Sequence, residues 1–191
     1  PDIVQRDRER LHLGHWLCVG HVSRIPNSGD YFVYDIANES LIIVRGKDDE
    51  VRALVNVCRH RGSHVCYEKQ GHSSKLACPY HGWRYNSGGV CTHMPAQPNT
   101  QPPAKARTVA YQATEAYEFI WVSLGEPARE LPPFPEYDNA KFRKLITGPY
   151  EFHGNPYRTI ENFIDVPHFP FVHPGLNGDP ERPDEFVDFD I

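Results

Sequence analysis

Long apolar runs are missing from this 191-residue chain. The longest, Leu41 to Val44, is the length of a strand. Nothing approaches the roughly 20 residues of a membrane-spanning helix, so no membrane partner is expected. The N-terminus has no basic segment followed by an apolar stretch, so no secretion signal is visible. Repeats and low-complexity tracts are absent as well. Excess positive charge is also lacking: a formal net charge of −5 argues against a nucleic-acid surface. Cysteine is sparse and odd in number, five in all, which suits a reducing and therefore cytoplasmic compartment. Three of the five, Cys18, Cys66 and Cys91, show no pairing pattern and read as buried or half-buried free thiols.

What is present is a globular composition, 39% hydrophobic and 24% charged, in a chain long enough for one large core or two small ones. Eighteen prolines and fourteen glycines point to a loop-rich, β-leaning protein. The most informative residues are two short signatures, Cys58-Arg59-His60 and Cys78-Pro79-Tyr80-His81, with seventeen residues between His60 and Cys78. Each offers one thiolate and one imidazole. A [2Fe–2S] cluster of the Rieske type needs this set, with two cysteines on one iron and two histidines on the other. Neutral imidazoles in place of two thiolates reduce the negative charge on the cluster, so an added electron is better tolerated. Zinc also accepts two cysteines and two histidines, but zinc fingers usually keep each residue type together, whereas here every loop mixes them. Gly62 and Gly82 follow the histidines and are expected to let the backbone approach the cluster sulfides and donate N–H bonds to them.

Along the chain, Asp2 to Leu13 reads as a short helix, and residues 14–20 and 31–36 read as strands. Residues 41–45 and 51–57 flank a Gly46–Glu50 turn as a β-hairpin, whose second strand runs directly into Cys58. Residues 76–77 lead into the second loop and 83–86 lead out of it to a Ser87-Gly88-Gly89 turn. Trp83 and Tyr85 are expected to pack around that loop as core filling. After a polar crossing from Pro95 to Lys105, residues 109–111 and 119–124 read as late strands. The proline-rich stretch 126–135 reads as a stiff linker, dividing the chain into 1–136 and 137–191.

The second part holds Asn162, Asp165 and His168, three apart, and His173 five beyond His168. A regular helix would set the two histidines on different faces, but Pro167 and Pro170 are expected to interrupt it and turn both imidazoles toward one point. Two histidines and a carboxylate form the facial triad of non-haem Fe(II) oxygenases. A histidine pair alone is weak evidence, and it gains weight beside the two Cys/His loops.

With both motifs in view, the chain resembles the Rieske non-haem iron oxygenases. These carry Cys-x-His…Cys-x2-His and, downstream, Asp-x2-His-x4-His, here Cys58, His60, Cys78, His81, Asp165, His168 and His173. Electron carriers of the cytochrome bc type have an extra cysteine in each loop, where this chain has Ser63 and Tyr80. Asn162, three before Asp165, resembles the homotrimeric branch that includes dicamba, vanillate, caffeine and ketosteroid oxygenases. The resemblance implies a β Rieske domain, an antiparallel sandwich with two cluster loops, followed by the start of an α+β helix-grip catalytic domain. It implies a [2Fe–2S] cluster and a mononuclear non-haem Fe(II) held by His168 and His173. Asp165 would accept hydrogen bonds from His168 and from a cluster histidine of a neighbouring subunit, assigned as His81. Implied partners are an NAD(P)H-dependent reductase, with or without a ferredoxin, O₂, and an aromatic or heterocyclic substrate that is hydroxylated or demethylated. In the family a carboxylate far along the catalytic domain completes the iron site. Asp179, Asp184, Asp188 and Asp190 stand too near the histidines to match it, so the chain reads as a fragment. The competing reading is a Rieske ferredoxin without oxygenase chemistry, though such a carrier has no need of residues 161–173.

Overall fold

The computed structural model describes residues 5–6, 10, 12–36, 38–148, 150–173 and 179–183. The helix expected over Asp2 to Leu13 falls largely outside them. The chain divides into two compact units, residues 1–142 and 143–191.

The first unit is built on an antiparallel seven-stranded sheet. In chain order its strands are β1 (Leu17–His21), β2 (Asp30–Ile36), β3 (Glu39–Arg45), β4 (Val51–Val55), β5 (Gln70–His72), β9 (Ala110–Ala116) and β10 (Phe119–Ser123). Across the sheet the order is β1-β10-β9-β4-β3-β2-β5. A small second sheet, β6 (Leu76–Ala77), β7 (Arg84–Tyr85) and β8 (Cys91–His93), has the order β6-β7-β8. The expected hairpin is β3–β4, pairing Leu41 with Val55 and Arg45 with Val51 across the Gly46–Glu50 turn.

The continuous apolar run of β3 has a structural cause. Successive side chains of a strand point to opposite faces, and both faces of β3 are covered. Ile42 and Val44 enter one core with Leu54, Leu76, Tyr85 and Cys91; Leu41 and Ile43 enter the other with Phe32, Ala53, Ile120 and Val122. The small sheet supplies the first of these cores, so strands flanking the Cys78 loop are packed on strands that lead to Cys58. Full burial of such a side chain contributes on the order of 2 kcal/mol, enough to set the register of the small sheet.

Strands β5 and β8 have no counterpart in the sequence reading. Neither carries an apolar alternation, and β5 is an exposed edge strand joined to β2 through its backbone. Among the described residues no helix is long and apolar enough to cross a membrane.

The second unit holds α1 (Pro156–Ile164), a 3-10 turn (Val166–His168) and α2 (Phe169–Val172). Asn155 caps α1, accepting from the Tyr157 amide at 2.9 Å, and Pro156 stands at the first helical position.

Candidate metal centres

The two Cys/His loops share one backbone design. In the first, the Cys58 amide donates to the Ser63 carbonyl at 2.8 Å, and the Gly62 amide donates to the Cys58 carbonyl at 2.9 Å. In the second, the Cys78 amide donates to Trp83 and the Gly82 amide to Cys78, each at 2.9 Å. Both glycines lie four residues after their cysteine with φ of +74° and +69°, a region that other residues enter only with strain. This corrects the expectation that the glycine amides aim at the cluster sulfides: both are used to close their own loops. A Cβ on Gly82 would sit 2.9 Å from Pro95 Cγ, while one on Gly62 would meet nothing within 4 Å.

The donors are sorted by type. Cys58 and Cys78 are 3% and 2% exposed and share one apolar core, whereas His60 and His81 are exposed with ring centroids 4.5 Å apart. Two thiols inside and two imidazoles outside fit a two-iron cluster with one sheltered iron and one at the surface. A single zinc would draw four donors to one point. Among the described residues no three His, Cys, Asp or Glu side chains converge in that way.

Aromatic residues of the second loop hold the histidines. Trp83 stacks on His60 across the loops, at 4.7 Å and 4° between planes, and Tyr80 lies against His81 at 4.0 Å. Sheltering of the His60 ring, then the neighbouring charges of His81 and Arg61, hold its pKa below the usual value, which favours the neutral imidazole a metal requires.

Tyr85, expected as core filling, has a more specific role. Its oxygen accepts from the Arg59 amide at 3.1 Å and stands 3.2 Å from Cys58 Sγ. Either atom can donate in that contact, but a Cys58 thiolate bound to iron carries no proton, and the hydroxyl would then donate to the sulfur. Burial, and next the bond to Cys58, raise the Tyr85 pKa, so the phenol remains a donor. Asn56, fully buried, was not visible as a functional residue either. Its Oδ1 accepts from the Val65 and Cys66 amides at 3.0 and 2.8 Å, and its Nδ2 donates to the Cys66 carbonyl at 2.8 Å. It ties the strand entering the first loop to the segment leaving it. Only a polar residue closing an apolar strand hinted at this.

All five cysteines are free, and Cys66 and Cys91 are buried as expected. Burial pushes the Cys66 thiol up to about 11. Cys18 is exposed instead, because the alternation of β1 turns the neighbouring Val19 into the core.

In the second unit the helix is interrupted as expected. Asp165, at φ −81° and ψ 83°, leaves the helix, and the chain re-forms as the 3-10 turn and then α2. His168 and His173 are brought to 5.6 Å between ring centroids. Asp165 Oδ2 faces His168 Nδ1 at 3.5 Å, but Nδ1 makes no hydrogen bond. The hydrogen bond expected between them is therefore not formed here. A carboxylate facing Nδ1 leaves Nε2 as the nitrogen available to a metal. Asn162 is an exposed residue of α1. The Asp179 carboxylate accepts from the Glu181 amide at 2.9 Å, a local turn contact, while Asp184, Asp188 and Asp190 lie outside the described residues. Two neighbouring imidazoles could serve a mononuclear iron, and among the described residues no third donor completes a metal site.

Comparison with known proteins agrees with the loop geometry. Residues 15–113 match the Rieske [2Fe-2S] domain. The chain is 33% identical over 185 residues, 94% of its length, to the methylxanthine N1-demethylase NdmA of Pseudomonas putida, and 27% identical over 187 residues, 91% of its length, to the carnitine monooxygenase oxygenase subunit of Escherichia coli K12. It covers 52% and 50% of those relatives, so it spans about half their length. The solved structure of Pseudomonas putida CBB5 NdmA superposes with a TM-score of 0.76 at 31% identity, covering 95% of this chain and 56% of that one. This chain belongs to the Rieske oxygenase family, and its cofactor in residues 15–113 is a [2Fe–2S] cluster.

Proposed function

We propose that this chain is the cluster-bearing part of a terminal oxygenase, together with the first ligands of its catalytic iron. The observation that carries this reading is the pairing, in one chain, of the sorted Cys/His loops with the Asp165–His168–His173 turn. A pure electron carrier has no use for the second feature. Cys58 and Cys78 hold the buried iron of the cluster, and His60 and His81 hold the surface iron. His168 and His173 are two ligands of a mononuclear Fe(II). When bound, the cluster takes up single electrons and the mononuclear iron uses them to activate O₂.

The residues around these sites have separable tasks. Tyr85 donates to Cys58, removing negative charge from the sulfur and favouring the reduced state. Trp83 and Tyr80 keep the two imidazoles at the surface, on the route by which electrons enter and leave. Asp165 orients His168, and in a head-to-tail homotrimer would also meet His81 of a neighbouring copy. Asn162, beside that bridge in sequence, has a supporting part in the same path. Electrons come from an NAD(P)H-dependent reductase, directly or through a ferredoxin.

The substrate is a small organic molecule, aromatic or heterocyclic, undergoing hydroxylation or oxidative N- or O-demethylation. The matches to an N-demethylase and to a carnitine monooxygenase both run along the two units, so they support either outcome. Metal counting on the intact protein tests the assignment. Three irons and two labile sulfides per chain are expected, with one iron lost in His168→Ala while the cluster spectrum persists. Two irons in the parent protein, unchanged by that substitution, would leave only an electron carrier.

A further inference from the structure

The turn between β9 and β10 is built from the wrong residues for its shape. Ala116 pairs with Phe119, leaving two central residues, Tyr117 and Glu118, at φ of 59° and 63°. Positive φ at both positions is the type I′ pattern, which normally takes Asn-Gly, Asp-Gly or Gly-Gly. This chain follows that rule elsewhere. Every other positive-φ position among the described residues is glycine, Asn38 or Asp49. A tyrosine and a glutamate held in this region are strained, and such strain persists only where surrounding contacts demand it.

The contacts identify what is gained. The Tyr117 hydroxyl donates to the Pro132 carbonyl at 3.0 Å. Its ring meets Phe134 at 5.5 Å and Tyr137 at 5.4 Å, both edge-on, and those two rings lie 6.0 Å apart. The turn is pinned from behind as well: the Val22 amide donates to the Glu118 carbonyl at 2.9 Å, and Trp121 Nε1 donates to the Ala116 carbonyl at 3.1 Å. On the far side, the Tyr137 amide closes the 3-10 turn Pro135–Asp138 onto Phe134 at 3.0 Å. Earlier in the same segment the Ala128 amide donates to Gly14 at 2.8 Å. The proline-rich segment is therefore fastened early, at Glu126 and Ala128, and again by the aromatic trio.

We propose that Tyr117 is a positioning residue, a latch that uses a strained turn to fix where the chain leaves the first unit. With the latch closed, the tether to the second unit begins at about Asn139. With it open, the tether begins near Ala128, and a longer tether lets its far end sample a larger volume. Glycine or asparagine at 117 would suit the turn better, but neither carries a ring to hold the linker.

The test separates turn stability from linker docking. Tyr117→Asn suits the turn and removes both ring and hydroxyl. In the intact protein it should leave the cluster spectrum unchanged and keep or raise the melting temperature of the first unit. Chymotryptic cleavage after Tyr137 should become roughly tenfold faster, because cleavage follows the population of the open form. Phe134→Ala opens the latch from the linker side without touching the turn, since that ring is 49% exposed, and should speed cleavage similarly. Tyr117→Phe keeps the ring and should remain close to the parent protein. Cleavage unchanged in both Tyr117→Asn and Phe134→Ala would overturn the latch. So would a lower melting temperature for Tyr117→Asn without faster cleavage, because Tyr117 would then be serving the β unit alone.

Discussion

Around Cys58 and Cys78 the donors are held by further contacts: backbone closure of each loop, Tyr85 on the Cys58 sulfur, Trp83 on His60 and Tyr80 on His81. Around His168 and His173 there is one facing carboxylate at 3.5 Å, one adjoining ring, Phe169, and a largely exposed helix. Both regions present paired histidines, yet only the first surrounds them with supporting contacts. The difference lies in where the supports come from. Residues 56–95 contain nearly everything the loops need, on strands packed into one core. The histidine turn is shaped by Pro167 and Pro170 and has little packed against it in the described structure.

Exchange of a ligand type should separate the regions most sharply. His60→Cys or His81→Cys, if the cluster assembles, should lower its reduction potential by several hundred millivolts, the span between Rieske and all-cysteine clusters. His168→Cys should leave that potential where it was. Protein-film voltammetry on the three variants decides this, and an unchanged potential in a correctly assembled His81 variant would remove it from the ligand set.

Asp165→Asn probes the weaker region. Both metals should remain bound and the cluster should still reduce, while turnover falls by about 10–100-fold through loss of the supporting carboxylate. Iron content, cluster reduction and single-turnover product are to be read on one sample. Loss of only the mononuclear iron would make Asp165 a ligand instead.

Within the organised region, the two glycines share a backbone but not a neighbourhood. Gly62→Ala adds only left-handed strain, about 1 kcal/mol. Gly82→Ala adds the same strain and a clash with Pro95, so thermal unfolding should show the larger loss there. Equal losses would mean that Pro95 yields freely.

Tyr85→Phe is the finest test. Removing one hydrogen bond to the Cys58 sulfur, worth about 1 kcal/mol, should lower the cluster potential by up to roughly 40 mV for a one-electron couple, since only the part of the bond gained on reduction counts, and leave iron content intact. A shift near zero would assign the hydroxyl to the Arg59 amide alone.

The parts of this protein that were legible in the linear chain are those set by near neighbours. The order of cysteine and histidine in each loop, the hairpin feeding Cys58 and the broken helix before His173 all follow from residues within a few positions of one another. Backbone rules for glycine, proline and strand alternation act at that range. The same rules could not show that the glycine amides turn back on their own cysteines, or that β1 points Cys18 outward. Nor could they place Tyr85 on Cys58, 27 residues away, Trp83 on His60, or Tyr117 on Pro132. Those pairings depend on strand register and on which core each face enters. β7 pairs Tyr85 with Leu76 and Cys91, and the packing of that small sheet on Ile42, Val44 and Leu54 carries the phenol to the sulfur. Register of this kind is chosen by the summed burial of many distant side chains, and no short stretch of sequence contains that sum.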